Sequence, residues 1–115
     1  MTEATVGPTS YETITPAEFA ERAARGARPR LIDVREPEEF ELARVEGAEL
    51  LPLSRLAEWE GALKNDEEIV FMCHHGIRSA SVCAYLARKG FTKLHNLAGG
   101  IDRWAVEVDP GMPRY

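Results

Sequence analysis

Apolar positions along this chain alternate between two spacings. Short strand-like segments occur at residues 11–14, 30–35, 48–53, 68–73 and 93–97, of which 68–73 holds the longest continuous apolar run. Runs of that length flanked by turn residues or charge predict strands, and runs without alternation predict strands buried on both faces. Between them lie segments with helical spacing. In TPAEFAERAARG, Thr15 stands at the N-cap, Pro16 at the first helical position, Glu18 closes a capping box and Gly26 follows the last turn. EPEEFELA carries acids in its first turn, which favours a short helix through the helix dipole. SRLAEWEGAL predicts one helix with Leu56, Trp59 and Leu63 on one side. IRSASVCAYLARKG predicts a helix with Val82, Cys83, Leu86 and Ala87 inward and Gly90 at its end, and GIDRWAVEV predicts the last helix.

Strands that alternate with helices predict an α/β domain: a central, mostly parallel, five-stranded sheet with helices on both faces. Residues 11–115 are expected to form this one domain, and residues 1–10, which are small and polar, to form a loose tail. In such sheets ligand sites lie beyond the carboxyl ends of the strands. Cys73 stands at one such end, and Asp33 and Arg35 at another. Residues 107–115 read as a tail that packs through Tyr115 or frays.

Composition narrows the function classes. A formal net charge of -5 argues against a general nucleic-acid binder, which needs a basic surface. Two cysteines, Cys73 and Cys83, are too few for a disulfide scaffold. No apolar run reaches the ~20 residues that span a bilayer, and the first ten residues lack the basic start and apolar core of a secretory signal. These features lead us to expect a cytoplasmic, reducing setting and no membrane partner.

The segment FMCHHGIRS, residues 71–79, concentrates the chemistry. It joins a strand to the N-terminus of a helix, where backbone N–H groups lack helical partners and the dipole favours negative charge. A thiolate placed there is stabilised and becomes nucleophilic at neutral pH. Gly76 permits a left-handed turn. Arg78 can hold an anion or tie the loop to an acid such as Asp33. The alternatives are a buried inert thiol and a metal site built from Cys73, His74 and His75. Adjacent residues rarely aim at one ion, so no metal ligation is expected. His74 and His75 are expected to be donors to an anion rather than a general base. Cys83, His95, Trp59 and Trp104 are read as packing residues.

CHHGIRS resembles the active-site loop of rhodanese-like sulfurtransferases, a Cys-x-x-Gly-x-Arg-Ser pattern. LIDVREPEEFELARVEGAELLPL is similar to that family's Asp-Val-Arg segment and following Gly-Ala, although Ala43-Arg44-Val45 stand where Gly-His-Ile is common. NLAGGIDRW is similar to its Leu-x-Gly-Gly-x-x-x-Trp. The resemblance implies a three-layer rhodanese-like domain that needs no cofactor. It implies catalysis by Cys73, with a substrate-binding, persulfide-stabilising loop of His74, His75, Gly76, Ile77 and Arg78. Asp33 and Arg35 are assigned supporting roles, with Arg35 also an outside choice for substrate contact. The implied reaction moves a sulfane sulfur from a small donor such as thiosulfate to cyanide or a thiol, including a protein thiol. His74 and His75 replace the Arg and Lys of the thiosulfate enzymes, so weak thiosulfate binding is expected. Two other functions remain open on this fold. One is a non-catalytic binding or regulatory module. The other is a phosphatase or arsenate reductase, whose loops place five residues between Cys and Arg where this chain has four, His74 to Ile77.

Overall fold

The computed structural model describes residues 10–115, so the expectation of a loose tail falls almost wholly on residues 1–9, outside the described residues. Five strands form one sheet: β1 (Glu12–Ile14), β2 (Arg30–Asp33), β3 (Glu49–Leu50), β4 (Ile69–Met72) and β5 (Leu94–Leu97). Their order is β1-β5-β4-β2-β3 and every pairing is parallel. Five α-helices connect and cover them: α1 (Pro16–Ala24), α2 (Pro37–Leu42), α3 (Leu56–Trp59), α4 (Ile77–Ala87) and α5 (Gly100–Glu107).

The continuous apolar runs are explained by the two cores they separate. β4 is buried at every position. Ile69 and Phe71 face one cluster with Trp59, Val82, Cys83 and Leu86, drawn from α3 and α4. Val70 and Met72 face the other with Phe19, Ile101 and Trp104, drawn from α1 and α5. A strand with apolar partners on both faces has no polar face to alternate with. Trp104 meets Phe19 edge-on, with ring centroids 5.8 Å apart.

The helix ends follow their signals. Thr15 and Glu18 form the reciprocal capping box of α1, and Glu36 and Glu39 form a second one at α2. Residues 54–63 depart from the single helix expected. The segment is a four-residue helix, α3, between 3₁₀ turns at Leu53–Arg55 and Glu60–Ala62. Trp59 donates its indole N–H to the Pro52 carbonyl at 2.8 Å, and Gly61 lacks the helix propensity to carry the segment on. The broken path lets Trp59 and Leu63 enter the same core. Strand β3 is also shorter than its apolar run, because Pro52 has no N–H to offer the sheet.

The register sets the site. Asp33 lies opposite Met72, and the Val34 N–H donates to the Met72 carbonyl at 2.9 Å. The ends of β2 and β4 therefore deliver Asp33, Arg35 and Cys73 to one edge of the sheet.

Candidate active site

Cys73 follows the last residue of β4 and is 1% exposed. The chain then turns at Gly76, with φ 97°, in the left-handed region that a residue with a Cβ rarely adopts. That turn points the Gly76 N–H at the Cys73 sulfur, with N to Sγ 3.1 Å. The Ser79 N–H approaches at 3.4 Å and its hydroxyl oxygen at 3.3 Å. The donors thus come from the turn and the first residues of α4. Ser79 did not stand out in the sequence for its chemistry, only as the last letter of a motif.

The carbonyls of the loop are drawn the other way. Cys73 and His74 accept from the N–H groups of Ile101 and Asp102, at 2.9 and 3.1 Å, at the start of α5. The helix satisfies two of its own orphan donors in this way and turns two negative dipole ends away from the sulfur. Gly100 makes the approach possible: a Cβ there would lie 2.3 Å from the Cys73 carbonyl oxygen. Gly100 is therefore a packing requirement of the cysteine loop.

Arg78 pairs with Glu39 on α2, through two bonds of 2.8 and 2.9 Å. The acid is Glu39, not Asp33 as the sequence suggested. The Arg78 guanidinium, with help from the Glu36 backbone and the Tyr115 hydroxyl, outweighs partial burial and holds the Glu39 carboxyl at about 2. In turn Glu39 raises the pKa of Arg78. Because the folded carboxyl ionises more readily than the ordinary 4.5, this pair stabilises the protein above that pH. The stabilisation falls away as pH drops through 4.5 towards 2. Native protein should lose on the order of 2 kcal/mol across this window relative to Glu39→Gln, allowing for solvent screening. Urea melts of both proteins between pH 6 and 2 measure it; parallel stability curves would show that the pair contributes nothing.

Asp33 and Arg35 are both wholly buried and bonded to each other at 2.7 Å. The remaining Arg35 donors reach the carbonyls of Glu39 and Ala43 and the Tyr115 hydroxyl. Burial acts to lower the Arg35 pKa, but its bonds to Asp33 and Tyr115 leave it raised. Arg35 has no exposed surface, and every one of its donors is taken up within the protein. It pins α2, which carries Glu39, to the end of β2.

Neither histidine of the loop is among the donors to the Cys73 sulfur. The His74 and His75 rings stack on each other at 3.8 Å, and His74 stacks on Tyr115 at 3.9 Å. His74 Nε2 lies 3.0 Å from the Tyr115 backbone oxygen. Burial, and then the neighbouring His75, lower the His74 pKa. His74, His75 and Asp102 bring possible metal-ligand atoms within 4.8 Å of one another. Asp102 is already held by Arg114 at 2.9 and 3.0 Å, and His74 by Tyr115. Ile77 is 75% exposed, and its N–H is not among the donors to the Cys73 sulfur. The end of the chain is anchored through Tyr115, which donates to Glu39 at 3.0 Å and accepts from Arg35 at 2.7 Å. Pairings as remote in sequence as these have no local signature.

Cys83 is wholly buried on α4, and its thiol approaches the His95 carbonyl at 3.5 Å. Burial, and then the charge of Cys73, push its pKa up to about 12, so it stays an inert thiol. Cys83→Ala should cost about 1 kcal/mol, the scale of a small core truncation. It should leave alkylation of Cys73 unchanged; an equal loss of reactivity at Cys73 would make Cys83 part of the chemistry.

The Rhodanese-like domain family matches residues 15–107. The chain is 38% identical over 105 residues to the probable adenylyltransferase/sulfurtransferase MoeZ of Mycobacterium tuberculosis, covering 90% of this chain but only 27% of that relative. It is 27% identical over 95 residues to thiosulfate sulfurtransferase GlpE of Pseudomonas aeruginosa, covering 83% of this chain and 84% of the relative. Among solved structures, human single-domain sulfurtransferase TSTD1 superposes with a TM-score of 0.69 at 30% identity, covering 85% of this chain and 98% of that one. No helix among the described residues is long and apolar enough to cross a membrane.

Proposed function

From its place in the rhodanese-like domain family, to which this chain belongs, we propose that it transfers a sulfane sulfur through a persulfide on Cys73. The family shows a sulfurtransferase kind of protein; the donor, the persulfide and the acceptor are our reading. The observation that carries it is the pair of N–H groups, Gly76 and Ser79, aimed at one buried sulfur.

The Cys73 thiolate attacks the outer sulfur of thiosulfate. The new S–S bond forms as the thiosulfate S–S bond breaks, and sulfite leaves with the bonding pair. Cys73 then carries a terminal sulfur with one negative charge. An acceptor thiolate, or cyanide, attacks that terminal sulfur, and Cys73 leaves as a thiolate. Donors already directed at the charge need no reorganisation when it forms. We place the reaction in the reducing cytoplasm, where Cys73 and Cys83 persist as the free thiols they are here.

Two features favour this over a phosphatase or arsenate reductase. Only four residues separate Cys73 from Arg78, which makes a cradle for one sulfur atom rather than a tetrahedral oxyanion. Arg78 also gives two of its N–H groups to Glu39, whose carboxylate offsets the charge that an oxyanion would call on. His74 and His75 stand where the thiosulfate enzymes of the family carry Arg and Lys, so we expect thiosulfate to be a weak substrate.

Intact mass after incubation with thiosulfate tests the proposal. The native protein should gain the mass of one sulfur, and cyanide or a reducing thiol should remove it. No mass gain with thiosulfate or with any persulfide donor would overturn the assignment.

A further inference from the structure

Both residues that direct N–H groups at the Cys73 sulfur are held by a single side chain. Asn96 lies on β5, beside β4, and is 8% exposed. Its Nδ2 donates to the Gly76 carbonyl at 3.0 Å. Its Oδ1 accepts the Ser79 hydroxyl at 2.6 Å. The two ends of the amide have opposite needs. A flipped amide would set an oxygen against the Gly76 carbonyl, so the orientation follows from its partners. Gly76 is the turn whose N–H lies 3.1 Å from the sulfur, and the Ser79 N–H lies 3.4 Å from it; the one Ser79 hydroxyl proton goes to Asn96, so the N–H is the donor that Ser79 offers the sulfur.

The sequence separation explains why this connection is needed. Gly76 is in a left-handed conformation with no side chain to anchor it. Within the loop, nothing but backbone links its orientation to that of Ser79, three residues on. A rigid strand residue that grips both fixes the spacing of the donors. Burial adds to this: an amide shut away from water has no alternative partners, and each of its bonds is correspondingly firm.

We propose that Asn96 is a positioning residue for the Cys73 anion, a two-ended clamp that holds the Gly76 and Ser79 donors on the sulfur. This rests on Cys73 as the reactive sulfur of the proposed function. Asn96 does not touch the reacting atoms; it acts through Gly76 and Ser79. Its effect is on the charged forms of the sulfur, thiolate and persulfide, because these are the forms that the donors stabilise.

The test is the pH profile of Cys73 alkylation by iodoacetamide, which requires no sulfur transfer. In Asn96→Ala the midpoint should move up by about half a pH unit or more. In Asn96→Asp it should move further, because a carboxylate oxygen replaces the donor facing the Gly76 carbonyl and brings a negative charge near the sulfur. Two profiles that overlay that of the native protein, with both variants folded, would overturn the proposal. Should a variant not fold, the native protein still decides. In NMR spectra recorded across pH, the Asn96 side-chain NH₂ signals should shift with the same midpoint as Cys73, and should stay fixed in Cys73→Ser. Asn96 signals that do not move while Cys73 titrates would also overturn it. A protein that shows these shifts but takes no sulfur from any donor would retain the clamp and lose only the sulfurtransferase assignment.

Discussion

Cys73→Ser should abolish sulfur transfer while leaving the fold intact. The substitution replaces a sulfur with an oxygen in a site that is 1% exposed, with little change of volume. The serine hydroxyl can still accept from Gly76 and Ser79, so the loop keeps its shape. It cannot ionise near neutral pH and cannot hold a sulfane sulfur as a persulfide. Turnover with thiosulfate and cyanide should fall by about a thousandfold or more, as expected when the nucleophile of a covalent mechanism is removed. Intact mass should show no added sulfur. Cys83 gives an internal control: it is the other thiol of the chain, and its burial keeps it protonated. A Cys73→Ser protein that still gains a sulfur would move the chemistry to Cys83.

Much of this site was legible in the sequence because it is local. The strand–Cys–loop–helix order, the left-handed Gly76 and the capping box of α1 each depend on residues within a few positions of one another. The parallel sheet followed from apolar runs alternating with helical spacing, because β4 is buried on both faces and has no polar side to display. What was not legible depends on distant pairing. Arg78 had several acids within plausible reach, and only the docking of α2 selects Glu39. Asp33, the acid nearest in motif, was already taken by Arg35 two residues on. Asn96 looked like an ordinary strand residue, because its significance comes from β5 lying beside β4. Tyr115 gave a weak signal as an aromatic near the end of the chain; its seat between Arg35, Glu39 and His74 depends on all three being assembled first. The interrupted helix at 53–62 was missed for the opposite reason. Its local pattern suits a helix, and tertiary packing of Trp59 and Leu63 overrides it.

The largest loss of stability should come from Asp33→Ala. All five guanidinium N–H groups of Arg35 have partners: the Asp33 carboxylate, the carbonyls of Glu39 and Ala43, and the Tyr115 hydroxyl. Removing the carboxylate leaves a full positive charge with no counter-ion at a site without exposed surface. Breaking one side of such a pair costs about 3–5 kcal/mol, because the remaining charge stays buried and unpaired. For a domain of this size that corresponds to a fall in melting temperature of roughly 12–20 °C. Asp33→Asn should lose less, since it keeps an oxygen acceptor for Arg35. The double change Asp33→Leu with Arg35→Met removes both charges together and should also lose less than Asp33→Ala alone. Thermal melts of the three proteins at neutral pH separate these cases. The damage should reach the site as well, because Arg35 anchors the segment that carries Glu39, and Glu39 holds Arg78. Alkylation of Cys73 in Asp33→Ala should therefore change under conditions where the protein is still folded. If Asp33→Ala instead melts within about 1 kcal/mol of the native protein, the buried pair does not support α2 in the way its bonds suggest.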